Sequence, residues 1–215
     1  MLRSACLFAF LALAPRAYAA DVLFVADSDG DEELADVLMA DGHRVTRVTG
    51  DFSGGRNTRL AMPIGDFDVV VWSADGMGNG SEHTDAVVFA SLNMFVTQGG
   101  RVLVTGYDAV ASPFDPMLVT FLGGTNSRDT PGAPGAVLDV ENSLTVGYED
   151  LRETTPPNPG NTDCITGLSA DTTSVVASAT DEECHQWTLR TLGRGEIAFV
   201  SSGGLAGMWS AGAYN

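Results

Sequence analysis

Residues 88–105 have the sequence VFASLNMFVTQGGRVLVT, and this stretch decides the fold class. In its first half, apolar side chains recur at the spacing of one helix face, namely Val88, Phe89, Leu92, Phe95 and Val96. Gly99-Gly100 then ends the helix, and Val102–Thr105 forms a short apolar run rich in β-branched residues. The strand follows the helix closely, and its apolar residues do not alternate with polar ones. Both features are typical of a parallel sheet that is covered on both faces.

Similar apolar runs occur at three other places: Val22–Val25, Val69–Trp72 and Ile197–Val200. Between the first two lies a second helical pattern, which Asp29 and Glu32 open in the manner of a capping box and Gly42 closes. Strands that alternate with helices predict βαβ units with right-handed crossovers. We therefore expect an α/β fold, a three-layer sandwich around a mostly parallel, flavodoxin-like sheet.

The remaining segments are less regular. Alternation over 43–49 predicts a strand near the sheet edge, and residues 116–122 predict a short helix. Residues 123–172 are rich in Gly, Pro, Asn, Thr and Asp, which indicates loops and short strands inserted between the strands of the sheet. Trp187–Arg190 and Glu196–Val200 predict a hairpin. We expect one domain over residues 21–215, with this loop-rich C-terminal insertion and its hairpin.

The N-terminus has the composition of a cleavable leader. An arginine precedes an apolar run over residues 5–14, and Ala17-Tyr18-Ala19-Ala20 supplies a small-x-small cleavage motif. The run is too short to span a bilayer, and a buried N-terminal helix is the alternative. We expect a signal peptide over 1–20, a secreted or periplasmic protein without membrane insertion after cleavage, and a mature chain that starts near Ala20 or Asp21. Since no closing helix precedes Asn215, we also expect a fragment or the first domain of a longer protein.

The charge balance excludes several kinds of partner. The chain has 28 acidic and 11 basic side chains, and its formal net charge is −17. Such a surface repels phosphate backbones and anionic lipids, so we expect neither nucleic-acid binding nor binding to a membrane surface. The sequence contains no lysine, which excludes Schiff-base amines, Walker-type phosphate lysines and lysine general bases.

Two cysteines, Cys164 and Cys184, lie beyond the leader. In an oxidising compartment, an even pair about twenty residues apart is most simply a disulfide, which stabilises a fold by about 3 kcal/mol. The alternative is that Cys184 is a nucleophile beside His185. It conflicts with strand geometry, because adjacent residues of an extended segment point to opposite sides.

Polar residues follow several of the predicted strands. Ligands of open parallel sheets bind outside the carboxyl ends of the strands, so these residues form a candidate binding rim. Its members are Asp27, Ser28, Asp29, Ser73, Asp75, Tyr107, Asp108, Ser201 and Ser202. Carboxylates and hydroxyls together suit a small polar or polyhydroxylated ligand or an extracellular protein. The alternative is that they are helix caps and turn formers, which the same residue types supply.

The first rim segment has spaced carboxylates at Asp27, Asp29 and Asp31, which makes it the candidate metal site for Ca²⁺ or Mg²⁺. The later bidentate acid of an EF-hand loop is not at the required position. The spacing also resembles the Asp-x-Ser-x-Ser adhesion motif of von Willebrand A-type domains, with both serines replaced by aspartate. We expect no obligatory cofactor, with one of these cations as the alternative.

The order of the elements resembles the class I glutamine amidotransferase-like superfamily, especially its trehalose-utilisation-type branch. The resemblance covers most of the chain after the leader and implies the same flavodoxin-like scaffold. It rests on four segments: Val22–Asp27, Asp66–Trp72, Gln98–Gly106 and Gly193–Gly203.

Catalytic members of that superfamily carry a cysteine nucleophile on a strained turn, in a Gly-x-Cys-x-Gly setting with His and Glu partners downstream. The matching segment here is Gly106-Tyr107-Asp108-Ala109-Val110, so Asp108 occupies the nucleophile position and is the candidate catalytic residue. The resemblance thus argues against the amidotransferase reaction. We expect a non-catalytic domain that binds a ligand or partner at the rim. The alternatives are an extracellular hydrolase of carbohydrate or another polar substrate that uses Asp27, Asp75 or Asp108, and a cation-dependent adhesion module.

Overall fold

The computed structural model describes most of the chain from residue 19 to residue 201. The described ranges are 19–27, 32–50, 60, 63–73, 85–106, 109–110, 116–131, 135–138 and 161–201. The predicted signal peptide lies outside them, apart from its last two residues.

Helices and strands alternate in the first part of the chain, as predicted. The elements there are β1 (Asp21–Asp27), α1 (Glu32–Ala40), β2 (Arg44–Gly50), β3 (Val69–Ser73), α2 (Ala86–Thr97), β4 (Arg101–Gly106) and α3 (Pro116–Phe121). Strands dominate the second part, which contains β5 (Asn126–Pro131), β6 (Gly135–Val137), β7 (Asn161–Thr166), β8 (Thr172–Ser178), β9 (Asp181–Leu192) and β10 (Gly195–Ser201).

One half of the sheet is parallel. Its strands follow the order β2, β1, β3, β4 and β10, and each is parallel to its neighbour. β2 lies at the edge, which confirms the edge strand predicted over 43–49. The last strand, β10, completes this half from far along the chain.

The other half is antiparallel, so the sheet is mixed and not mostly parallel as expected. β9 pairs antiparallel with β10, β8 and β7, and β5 and β6 extend the sheet by further antiparallel pairs. The cause is the short connections: β8, β9 and β10 are joined by two-residue turns, which permit only antiparallel neighbours. The β9–β10 pair confirms the predicted hairpin, and Gly193 in its turn has a φ of +64°.

Both faces of the parallel strands are buried, as their continuous apolar runs predict. Leu23 and Val25 of β1 belong to a core cluster that includes α2 and α3, whereas Val22 and Phe24 belong to a second cluster that includes α1. Since successive side chains of a strand point to opposite faces, helices cover this part of the sheet on both sides.

Helix α2 begins at Ala86, just before Val88, the first apolar position of its predicted pattern. Its N-cap is Asp85, whose Oδ1 accepts a hydrogen bond from the backbone N–H of Val87 at 2.8 Å. The helix ends at the predicted Gly99-Gly100, where Gly99 has a φ of +112°. A Cβ on Gly100 would lie 2.4 Å from the ring of Phe95, so the turn requires glycine there as well.

Candidate ligand site at the carboxyl ends of the parallel strands

Four neighbouring strands of the parallel half end at the same edge of the sheet. Ala26 of β1 pairs with Ser73 of β3, Ser73 pairs with Thr105 of β4, and Thr105 pairs with Val200 of β10. One residue further along, Gly106 pairs with Ser201. The structure thus brings three predicted rim positions, Asp27, Ser73 and Ser201, to one edge.

The hydroxyl residues at this edge are buried, unlike ordinary turn formers. Ser73 and Thr105 are fully buried, and Ser201 is only 3 % exposed. Ser73 and Thr105 share a register row and therefore point to the same face of the sheet. Ser201 stands one residue beyond that row, so its side chain points to the opposite face. Buried hydroxyls consequently lie on both faces at the strand ends.

The Ser201 hydroxyl lacks a hydrogen-bond partner within the described part of the chain. A buried polar atom left unpaired costs roughly 1–3 kcal/mol, which a polar ligand atom would offset. The register neighbour Gly106 has no side chain to cover Ser201, and its φ of +140° is one that residues with a Cβ rarely adopt. Gly106 is also the first residue of the Gly106–Val110 segment that the superfamily resemblance singles out.

The other rim candidates lie outside the described residues. These are Ser28, Asp29, Asp75, Tyr107, Asp108 and Ser202, together with Asp31 of the candidate metal site. Asp27 is described for its backbone alone, as the last residue of β1. Within the described ranges, no cluster of three or more His, Cys, Asp or Glu side chains is arranged to hold a metal ion.

Asp163 is a residue near this edge that the sequence pattern missed. It lies on β7, is completely buried, and its Oδ2 accepts a hydrogen bond from the backbone N–H of Val110 at 2.9 Å. The bond fixes the backbone two residues after the candidate Asp108. No signal distinguishes Asp163 in the sequence, because Asn161-Thr162-Asp163 has the composition of a surface turn.

The predicted disulfide is present and joins β7 to β9. Cys164 and Cys184 are fully buried, with an S–S distance of 2.04 Å and a Cα–Cα distance of 5.3 Å. Neither sulfur is therefore available as a thiolate nucleophile. The neighbouring His185 makes a 2.8 Å hydrogen bond through Nδ1 to the Ser174 hydroxyl. Burial lowers the pKa of His185, against the opposing effect of the nearby Glu183 and Asp181 carboxylates.

A cavity that the sequence pattern also missed lies at the opposite end of the parallel strands. This amino-end cavity has a volume of about 650 Å³, and the first residues of β3 and β4 form part of its wall. The first residue of β4 is Arg101. The cavity is also lined by Asp68, by Arg194 and by Ala19 and Ala20, which precede β1. Arg194 donates a 2.8 Å hydrogen bond to the carbonyl of Gln98 at the end of α2.

Comparison with known proteins gives matches in structure alone. No protein-family model matches the chain, and no curated protein matches it. Among solved structures, Cytoplasmic Protein STM1381 from Salmonella typhimurium LT2 has a TM-score of 0.62 at 14% identity, over 86% of this chain and 88% of its own. Cytoplasmic Protein STM3548 from Salmonella typhimurium has a TM-score of 0.58 at 16% identity, over 85% and 87%.

The trehalose-utilisation-type resemblance has a counterpart among these structures. A ThuA-like protein from Parabacteroides merdae matches with a TM-score of 0.51 at 12% identity, over 84% of this chain and 78% of its own. Identities this low establish a common fold and carry no information about function. The chain is thus an α/β protein with a mixed sheet whose fold is similar to that of ThuA-like proteins.

Proposed function

We propose that this protein is an exported, non-catalytic domain of the amidotransferase-like superfamily that binds a small polyhydroxylated ligand at the carboxyl ends of its parallel strands. The observation that carries the proposal is the buried Ser201 hydroxyl, which lacks a partner among the described residues and lies beside Gly106. We also propose that the parallel half has the flavodoxin-like, three-layer arrangement of that superfamily.

The chemistry of the edge favours a ligand rich in hydroxyl groups. Each serine or threonine hydroxyl donates one hydrogen bond and accepts others, so it matches both functions of a sugar hydroxyl. Ser201 offers such a group in surroundings that exclude water. Hydrogen bonds there are stronger than at an exposed surface, because the local dielectric constant is low.

Two features support binding without the amidotransferase reaction. That reaction needs a free thiolate, and both cysteines beyond the leader are joined in a disulfide. The position of the superfamily's nucleophile holds Asp108. A hydrolase that uses Asp108 and a cation-dependent adhesion module are the competing functions.

Export is supported by the disulfide as well as by the leader sequence. Disulfides persist in oxidising compartments and are rare in the cytoplasm. Within the described ranges, no helix combines the length and the apolar character that crossing a membrane requires. We place the mature protein in the periplasm or outside the cell.

Calorimetric titration against a panel of mono- and oligosaccharides tests the binding proposal. Ser201→Ala should weaken binding of a positive saccharide about three- to tenfold, the usual effect of one hydrogen bond. Ser178→Ala is the matched control, because Ser178 is equally buried but its hydroxyl is bonded to Thr180. Equal affinities of wild type and Ser201→Ala for every saccharide would refute the site.

The same panel distinguishes the competing functions. Turnover of a glycan that is lost in Asp108→Asn would favour the hydrolase. Binding that needs Ca²⁺ or Mg²⁺ and is lost in Asp27→Asn would favour the adhesion module. Neither result is expected from the proposed non-catalytic site.

A further inference from the structure

The sheet begins at the residue where the predicted leader ends. The carbonyl of Ala20 accepts a 2.9 Å hydrogen bond from the backbone N–H of Arg44, and the carbonyl of Asp21 accepts one of 2.8 Å from that of Asp68. The first donor, Arg44, begins β2, and the second, Asp68, directly precedes β3. These are the two strands that flank β1. The predicted leader is therefore followed directly by the first strand, without a linker.

The two backbone N–H groups at this point are held by side chains. The N–H of Ala20 donates to Nδ1 of His43 at 3.2 Å, and the N–H of Asp21 donates to Oδ2 of Asp68 at 2.9 Å. His43 must therefore accept through Nδ1 and carry its proton on Nε2. Ala20 and Asp68 also line the amino-end cavity.

We propose that this arrangement is a binding site for the chain's own processed amino terminus, an inference that rests on the proposed export. Of the two expected start points, Ala20 and Asp21, the Ala17-x-Ala19 motif favours Ala20, because it directs cleavage after Ala19. A signal peptidase adds water across the Ala19–Ala20 peptide bond, so Ala19 leaves with a new carboxylate and the Ala20 nitrogen becomes an ammonium group. That ammonium group donates a hydrogen bond to Nδ1 of His43. The next residue, Asp21, donates its backbone N–H to the Asp68 carboxylate.

Cleavage changes what this site holds. Before it, the Ala20 nitrogen is a neutral amide with one proton. Afterwards it has three protons and a positive charge, while Asp68 supplies a carboxylate to the same short segment. The Asp21 carboxylate is already paired with Arg44, which leaves Asp68 as the acidic group bonded to the start of β1. Removal of the leader should thus tighten the attachment of β1.

The absence of lysine makes the site directly measurable. Within residues 20–215 the α-amine of Ala20 is the only primary amine, since the sequence has no lysine at all. An amine-selective succinimidyl ester will therefore report on this one group, without background from side chains.

The test uses the protein purified from the exported fraction. Intact-mass measurement establishes the first residue, and the labelling rate near pH 7 is then compared between native protein and protein unfolded in urea, with a free alanine peptide correcting for the solvent. We expect a first residue of Ala20 and native labelling about three- to tenfold slower than labelling of the unfolded chain. His43→Ala should remove most of this protection, and His185→Ala, at a histidine on β9, should leave it unchanged.

The outcomes separate the two proposals. Protein that retains its leader would overturn both export and the amine site. Protein that begins at Asp21, or that begins at Ala20 but labels equally fast in the native and unfolded states, would overturn the amine site and leave export standing. If the His43→Ala variant unfolds during purification, His43→Gln at the same position serves instead, and unchanged protection in a folded variant would show that His43 does not hold the amine.

Discussion

At the residue scale, the buried polar groups carry most of the functional argument, and they were only partly foreseeable. Ser73 and Ser201 follow apolar runs, so the rule for open sheets places them at one edge from sequence. Asp163 could not be predicted, because its importance comes from a contact with Val110, 53 positions away in the chain. Its local sequence contains no trace of that contact.

Replacing Asp163 by Asn should destabilise the fold by about 1–3 kcal/mol. The substitution keeps the size of the side chain but replaces one carboxyl oxygen by an amide group, whose protons enter a buried site beside the bond to Val110. Urea unfolding measures the effect. Asp36→Asn is the control, since Asp36 is exposed, and it should change the free energy of unfolding by less than about 0.5 kcal/mol. Equal effects of the two substitutions would contradict the role given to Asp163.

His185 should make stability fall on mild acidification. Burial lowers its pKa in the folded state, so on acidification the unfolded chain takes up a proton at this position before the folded protein does. The free energy of unfolding should therefore decrease as the pH falls through about 6.5, the ordinary pKa of histidine. Urea unfolding at several pH values between about 7 and 5 will show this slope. In His185→Gln the slope should become shallower, and an unchanged slope would assign it to other groups.

At the element scale, sequence periodicity predicted α2, β4, the edge strand β2 and the β9–β10 hairpin. It was less informative for β5 and β7, whose sequences NSRDTP and NTDCIT are polar and lack the alternation of a half-buried strand. Their pairing depends on neighbouring strands and on the disulfide, so local propensity contains little information about them.

The disulfide should contribute about 3 kcal/mol to stability by restricting the unfolded chain. The bridge closes a loop between residues 20 positions apart and joins β7 to β9. We expect the Cys164→Ser/Cys184→Ser double variant to show this loss in urea unfolding. Wild type in reductant should match it, whereas adding reductant to the double variant should change nothing. A wild type that is insensitive to complete reduction would contradict the prediction.

Gly193→Ala should lower the stability of the protein by straining the turn between β9 and β10. The φ of Gly193 is +64°, and an added Cβ would lie 2.7 Å from Cα of Thr97. The strain and the clash with α2 backbone together should cost about 1–3 kcal/mol. Gly65→Ala is the matched control because nothing lies within 4 Å of its added Cβ. Thermal unfolding that shows the same midpoint for both variants would contradict the geometry of the turn.

At the scale of the whole molecule, the α/β class followed from the alternation of apolar runs and helical patterns, but the mixed sheet did not. The parallel half is defined by continuous apolar strands, which sequence shows directly. The antiparallel half depends on two-residue turns and on how the polar insertion folds back on β9. Those pairings are long-range, and periodicity does not report them.

Amide hydrogen exchange with and without a saccharide that binds in calorimetry tests the proposed function most directly. Exchange should slow at Gly106 and Ser201, because the ligand would cover the carboxyl ends of β4 and β10. Arg101 and Arg194, at the opposite end of the same strands, should exchange at unchanged rates. Protection confined to the amino-end cavity, or none at Gly106 and Ser201, would contradict the proposed site.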